Sequence, residues 1–229
     1  MSAMTETNQG SVLDDVRKAL GRQNTLSPAP LEPFLEPTLA IDARELGERF
    51  IQEATAVRAQ VHRVPDRRQL VQKVVEICVN QTGEVAISGA ELLREINLPE
   101  ELTARDLSTF MGDRAGHEQM VARLANCGVG VTAADFAIAE TGTIVLSSDE
   151  PNALLVSLLP PVHIAVVRSE QMIATIDEAI RRTGSERMTG TNPTRSVTMI
   201  TGPSRTSDVE LVLSIGVHGP KELHVIILE

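Results

Sequence analysis

VHRVPDRRQLVQKVVEICVNQTGEVAISGAELLREI, residues 61–96, is the stretch that decides the fold. Val61 to Val64 is a short β-prone run stopped by Pro65. Asp66 then opens an amphipathic helix that runs through Leu70, Val71, Val74, Val75 and Ile77 to Asn80. Glu84 to Ser88 is strand-like again, and Gly89 introduces a second helix through Leu92, Leu93 and Ile96. Strand and helix alternate, which predicts an α/β architecture: a mostly parallel sheet flanked by helices. No Gly-x-Gly-x-x-Gly follows these strands and Gly-x-x-x-x-Gly-Lys is absent, so neither a dinucleotide fingerprint nor a P-loop is supported.

Toward the N-terminus, Asp42 to Val57 follows helical spacing through Leu46, Phe50 and Ala54. Before it, Asn24 to Pro37 carries Pro28, Pro30, Pro33 and Pro37 and reads as an extended surface linker. Ser11 to Gly21 is a compact helix signal, with Ser11 able to cap, Asp14 and Asp15 in the first turn, and Gly21 able to close it. The expected organisation is an N-terminal helical arm and Pro-rich linker over 1–37, then one α/β domain over 38–229. The arm is either docked on the body or a neighbouring subunit, or loosely attached.

Composition narrows the partners. Of the 229 residues 42% are apolar but only 2% are aromatic, so the core must be aliphatic and alanine-rich. With no Trp or Tyr to stack on bases and a net charge of −10, nucleic acid is not the expected partner. An anionic small molecule is still compatible, because a pocket's local field need not share the sign of the total. Cys78 and Cys127, the only two cysteines, are far apart in sequence and cannot form a self-contained four-cysteine cluster or zinc site. Buried thiols in a reducing compartment are expected. The first residues, MSAMTETNQGSV, lack a basic region followed by an apolar one, and no apolar run is long enough to span a bilayer. A soluble, cytoplasmic protein is expected.

Toward the C-terminus the signals sharpen after residue 131. His117 to Asn126 is helical, and His117-Glu118 is no zincin motif, because Met120 and Val121 stand where the second His is needed. Val129 and Val131 begin the next strand. Ala134 to Ser147 reads strand, tight turn, strand around Glu140-Thr141-Gly142-Thr143, with Gly142 able to take positive φ. Glu140 could be a base, a nucleophile or a partner for Arg205, or simply an exposed hairpin carboxylate. Asn152 to Leu159 can form a short helix, and Val162 to Val167 is a strand containing His163, either a hydrogen-bonded core residue or a catalytic one. Gln171 to Arg182 reads as an amphipathic helix, Thr183 to Arg195 as a loop long enough for a flap, and Leu223 to Leu228 as a last strand.

Ser196 to Pro220 carries the densest site chemistry. Val197 to Ile200 is a strand stopped at Gly202-Pro203, and five polar residues follow, Ser204 to Asp208. A second apolar run, Val209 to Ile215, feeds Gly216-Val217-His218-Gly219-Pro220. Two apolar segments feeding Gly/Pro turns suit a site at the ends of sheet strands. Gly202 and Gly219 let backbone N–H groups approach a ligand, and Ser204, Thr206 and Ser207 offer hydroxyls. Arg205 is a planar donor for carboxylate or phosphate, and Asp208 or Ser207 could cap a following helical turn. A solvated turn with ordinary capping residues is the other reading.

Four segments also carry a resemblance. GPSRTSDVE at 202–210, GVHGP at 216–220, the AETGT of Ala139 to Thr143 and the PPVH of Pro160 to His163 resemble motifs of the LUD-domain family, most closely its LutC/YkgG (lactate utilisation protein C) branch. The resemblance implies the NagB/RpiA/CoA-transferase-like fold. It also implies a part in oxidising L-lactate to pyruvate within a three-component system whose other members hold iron–sulfur clusters, this chain matching the cluster-free component with no cofactor of its own. Under that reading Arg205 clamps a small carboxylate, aided by Gly202 and Gly219, and His218 or His163 is the base for the hydroxyl proton. The alternative is a stand-alone CoA-transferase-like or sugar-phosphate-isomerase-like enzyme using Glu140, with Thr141, Gly142 and Thr143 shaping its turn.

Overall fold

The structure, a computed structural model, describes residues 15–16, 18–21, 42–111, 117–147, 152–189, 196–207 and 213–229. The chain forms two compact units, Met1–Leu39 and Ala40–Glu229. In the first, residues 15–16 and 18–19 are helical, and Gly21 ends the turn in the left-handed region at φ +61°. Ser11 and the Pro-rich linker lie outside the described residues.

The second unit opens with helix α1 (Ala43–Ala56), whose first turn is capped by Asp42. Strand β1 (Gln60–Val64) and helix α2 (Arg67–Cys78) follow, the latter capped by Asp66, which accepts the Gln69 N–H at 2.8 Å. Then come β2 (Val85–Ile87), α3 (Glu91–Glu95), α4 (Leu98–Thr103), β3 (Thr109–Phe110), α5 (His117–Leu124) and β4 (Val129–Ala133). An antiparallel pair, β5 (Phe136–Ile138) and β6 (Thr143–Ser147), leads to α6 (Ala153–Leu158) and β7 (Val162–Arg168). The rest is β8 (Met172–Ile173), α7 (Ile176–Thr189), β9 (Val197–Ile200), β10 (Arg205–Ser207), β11 (Leu213–Ile215) and β12 (Glu222–Leu228).

Six strands form an all-parallel sheet in the order β1-β12-β7-β4-β2-β3. Its central strands are buried on both faces, which is why they read as nearly continuous Val/Ile/Ala runs. Alternation divides them between two cores. Ile164, Val166 and Ile226 pack against Leu70, Val74, Leu93 and Leu102 from α2–α4. Ala165, Val167, Val225 and Ile227 pack against Phe50 and Ala54 of α1, and against Ala137, Ile144 and Leu146. These last three belong to a second, four-stranded sheet, β8-β5-β6-β9, which lies on the same face as α1. The α/β class with a helix-flanked parallel sheet is as the alternation predicts. The second sheet is not, because its strands are short and come from separate parts of the chain.

Two local readings are corrected. Met172 and Ile173, read as the start of a helix from Gln171, instead pair parallel with Ala137 and Ile138 of β5. Both are buried there, and ladder bonds plus burial outweigh their helical spacing. The helix starts at Ile176 and continues to Thr189, into residues read as loop. Likewise Arg205 to Ser207 is not a polar turn but one strand of a hairpin with Leu213 to Ile215, since the backbone rather than the side chains makes the ladder. Asp208 lies outside the described residues.

Candidate functional site

Backbone hydrogen bonds tie three of the four singled-out segments together. The Ser204 N–H donates to Pro220 O at 2.9 Å, and Gly216 N–H donates to Ser204 O at 3.0 Å. The Lys221 N–H donates to Pro161 O at 2.7 Å, which docks the GVHGP turn against the PPVH segment. Between them is a cavity of about 320 Å³ lined by residues 198–205 and 218–220 with Ser157, Leu158, His163 and Leu223. His163 and Leu223 are the second residues of β7 and β12, so the cavity sits at the amino ends of those strands and beyond the carboxyl end of β9.

The walls carry a distinct chemistry. Arg205 and His218 line them, together with the hydroxyl-bearing Ser157, Thr198, Thr201 and Ser204, and among the described residues no Asp or Glu does. Two other clefts both include carboxylates, Asp66 and Glu101 in one, Glu76 and Glu222 in the other. On a chain of net charge −10, a cavity whose described lining holds an arginine and no carboxylate is compatible with an anion. Arg205 is exposed and donates one N–H to the Val57 carbonyl beyond α1 at 2.6 Å. That bond fixes its plane and leaves other N–H groups of the fork for a ligand. Gly202, at φ +74°, is buried where a Cβ would collide with that same Val57 carbonyl. The close approach, as much as the turn, requires glycine. Thr206 and Ser207 are on β10, with the backbone alone described.

His163 is fully buried, its Nε2 2.9 Å from Thr132 Oγ1 and its Nδ1 without a partner. Burial, with a smaller contribution from His224, pushes its pKa down to about 3. A group that stays neutral there is a poor general base near neutrality, so of the two imidazoles expected to take a proton, His163 has the environment of a hydrogen-bonding group. His218 lies exposed at the cavity wall.

The AETGT turn sits differently. Glu140 is absent from the cavity lining. Its carboxylate accepts the Ile176 N–H at the start of α7 at 3.3 Å, and its own N–H donates to Ala174 O. Glu140 and Arg205 do not form an ion pair among the described contacts. Gly142 packs on the backbone of α1 rather than facing the cavity. The turn reaches the site through hydroxyls: Thr141 Oγ1 to Thr143 Oγ1 and Thr143 Oγ1 to Thr201 Oγ1, both 2.7 Å. Thr143 is buried at the centre of this chain. Replacing it with valine keeps the shape and removes the bridge, which is expected to cost about 1 kcal/mol in urea unfolding.

Sequence reading missed Thr132, Thr201 and His224. Thr132 and His224 sit inside strands where only pairing register brings them into play. On the opposite face of the sheet from His163, His224 Nδ1 lies 3.2 Å from His62 Nε2, with the rings stacked. Burial lowers the pKa of both, Glu222 partly opposing it at His224. Both cysteines are buried free thiols, pushed up to about 12 (Cys78) and about 11 (Cys127) by desolvation. Neither environment suits a cluster-ligating thiolate.

The LUD domain family model matches residues 47–228, nearly the whole α/β unit and all four segments. The chain belongs to the LUD-domain family. Within that family it is 27% identical over 229 residues to the uncharacterized protein YkgG of Escherichia coli, covering 97% of this chain and 98% of the relative. It is 28% identical to lactate utilization protein C of Macrococcus caseolyticus, covering 100% and 99% respectively. A shorter match, 41% over 100 residues, is to lactate utilization protein C of Deinococcus radiodurans, covering 43% of this chain and 45% of that one. A crystal structure of a DUF162 family protein from Deinococcus radiodurans superposes with a TM-score of 0.61 at 22% identity, covering 82% of this chain and 99% of that one. At that identity the likeness carries the fold alone. No helix among the described residues of this LUD-domain chain is long and apolar enough to cross a membrane.

Proposed function

We propose that this LUD-domain chain acts in lactate utilisation as a cluster-free component that binds a small carboxylate, lactate or pyruvate, in the cavity between residues 198–205 and 218–220. The observation that carries the reading is the cavity wall, which among the described residues has Arg205, hydroxyls and closely approached backbone but no carboxylate. Full-length relatives named lactate utilization protein C favour this ligand over a phosphate. Arg205, anchored on Val57 O, takes the ligand's carboxylate through its free N–H groups. The exposed His218 is placed to exchange the hydroxyl proton. Oxidising lactate to pyruvate also breaks the C2–H bond, and that hydrogen would leave with its two electrons, as a hydride or as a proton plus two electrons, to a redox cofactor held by iron–sulfur partner subunits. The stand-alone reading built on a Glu140 nucleophile has less support, because that carboxylate is engaged by α7 and lies outside the cavity lining.

Isothermal calorimetry on the full chain tests the binding. L-Lactate and pyruvate are expected to bind, and Arg205→Ala to weaken both at least tenfold, while Arg205→Lys recovers only part because it lacks the planar fork. Absence of binding to wild type, alone and with co-purified iron–sulfur protein, would remove the reading.

A further inference from the structure

The inference rests on the carboxylate reading above and concerns what the rest of such a ligand meets. His163 lines the cavity, and its Nδ1 is, among the described residues, the one buried side-chain nitrogen or oxygen without a hydrogen-bond partner. The other side of the ring is fixed by Thr132, itself fully buried on β4. Nothing in the protein offsets the desolvation of that nitrogen, a cost that a ligand atom entering the cavity and bonding to it would remove.

We propose that His163 is the group that recognises the oxygen on the carbon next to the ligand's carboxylate, so that the cavity takes 2-hydroxy and 2-oxo acids and discriminates against the acid lacking that oxygen. The Thr132 hydroxyl can donate or accept. When it donates to Nε2, the ring's single proton sits on Nδ1 and is given to a carbonyl oxygen. The same Nδ1–H can donate to a lone pair of a hydroxyl oxygen, which leaves that hydroxyl's own hydrogen free for His218. One nitrogen therefore serves both members of a hydroxy acid/oxo acid pair without the ring becoming charged. Burial keeps it neutral, with the pKa at about 3. His163 is on this account a recognition residue and not the base.

The test uses full-length protein labelled with ¹⁵N-histidine, titrated with L-lactate, pyruvate and propionate and followed by calorimetry and NMR. Lactate and pyruvate are expected to bind at least tenfold more tightly than propionate and to shift the His163 Nδ1 resonance, which propionate leaves in place. His163→Leu is expected to bring all three acids to one affinity. His163→Asn, which returns an amide close to the position of Nδ1, should restore part of the preference. Propionate binding as well as lactate to wild type would overturn the inference while leaving the carboxylate reading intact. So would a preference that survives in His163→Leu. Binding of none of the three overturns both. Should His163→Leu fail to fold, the wild-type affinities and the histidine resonance decide the matter alone.

Discussion

Gly142→Ala is expected to lower the stability of the chain by about 3 kcal/mol, more than any side-chain change in the same turn. Two independent costs add. Gly142 has φ +62°, a conformation that strains any residue with a Cβ. A Cβ there would also stand 2.5 Å from Ala54 Cα and 2.6 Å from the Glu53 carbonyl carbon, and closer still to Ala54 N. These are backbone atoms in the last turn of α1, where Ala54 is fully buried and no flexible side chain can swing away. The helix must lift off the sheet or the turn must open. Gly142→Asn separates the causes, because asparagine tolerates positive φ but carries the same Cβ. If the close approach dominates, urea midpoints of the two variants fall together. If the dihedral dominates, asparagine recovers most of the loss.

That prediction also shows where sequence reading stopped. Glu140 to Thr143 looked like a presenting turn because a glycine between hydroxyls suits both a tight hairpin and an anion. Only the packing of the turn against α1, more than 80 residues earlier in the chain, shows that a Cβ on this glycine would meet helix backbone. The parallel sheet was legible because periodicity is local: α2 repeats every three or four residues, and β7 and β12 are apolar runs bounded by turns. The second sheet was not, since β8 is two residues long and its pairing with β5 depends on partners 35 residues apart. The candidate site was legible in part. Ser204, Arg205, His218 and Gly219 could be named from turn chemistry, and His163 from its place in an apolar strand. Their meeting depends on Ser204 bonding to Pro220 and Lys221 to Pro161, contacts that no spacing encodes. What separates a hydrogen-bonding imidazole from a base at His163 is complete burial beside Thr132, a property of register between β4 and β7.

Burial of three imidazoles has its own consequence, a loss of stability on mild acidification. His163, His62 and His224 all have folded-state pKa values below the ordinary 6.5 because desolvation disfavours their charged forms. Above pH 6.5 folded and unfolded chains are both largely neutral at these positions, and the shifts contribute nothing. Below it the unfolded chain binds protons that the folded chain resists, so stability falls with falling pH until the folded groups titrate, near pH 3 for His163. At His163, which is fully buried, the loss is about 2 kcal/mol between pH 6.5 and pH 5. Carboxylates complicate the raw curve, because a chain of net charge −10 sheds self-repulsion as it is acidified. That contribution is common to wild type and His163→Asn, which cannot titrate at 163, and it cancels in their difference. Urea midpoints from pH 7.5 to pH 5 are therefore expected to fall more steeply for wild type than for His163→Asn. Parallel curves would mean that His163 takes up its proton in the folded state as readily as in the unfolded one. The ring would then be solvated or already paired, contrary to the stranded Nδ1 on which its role in the cavity depends.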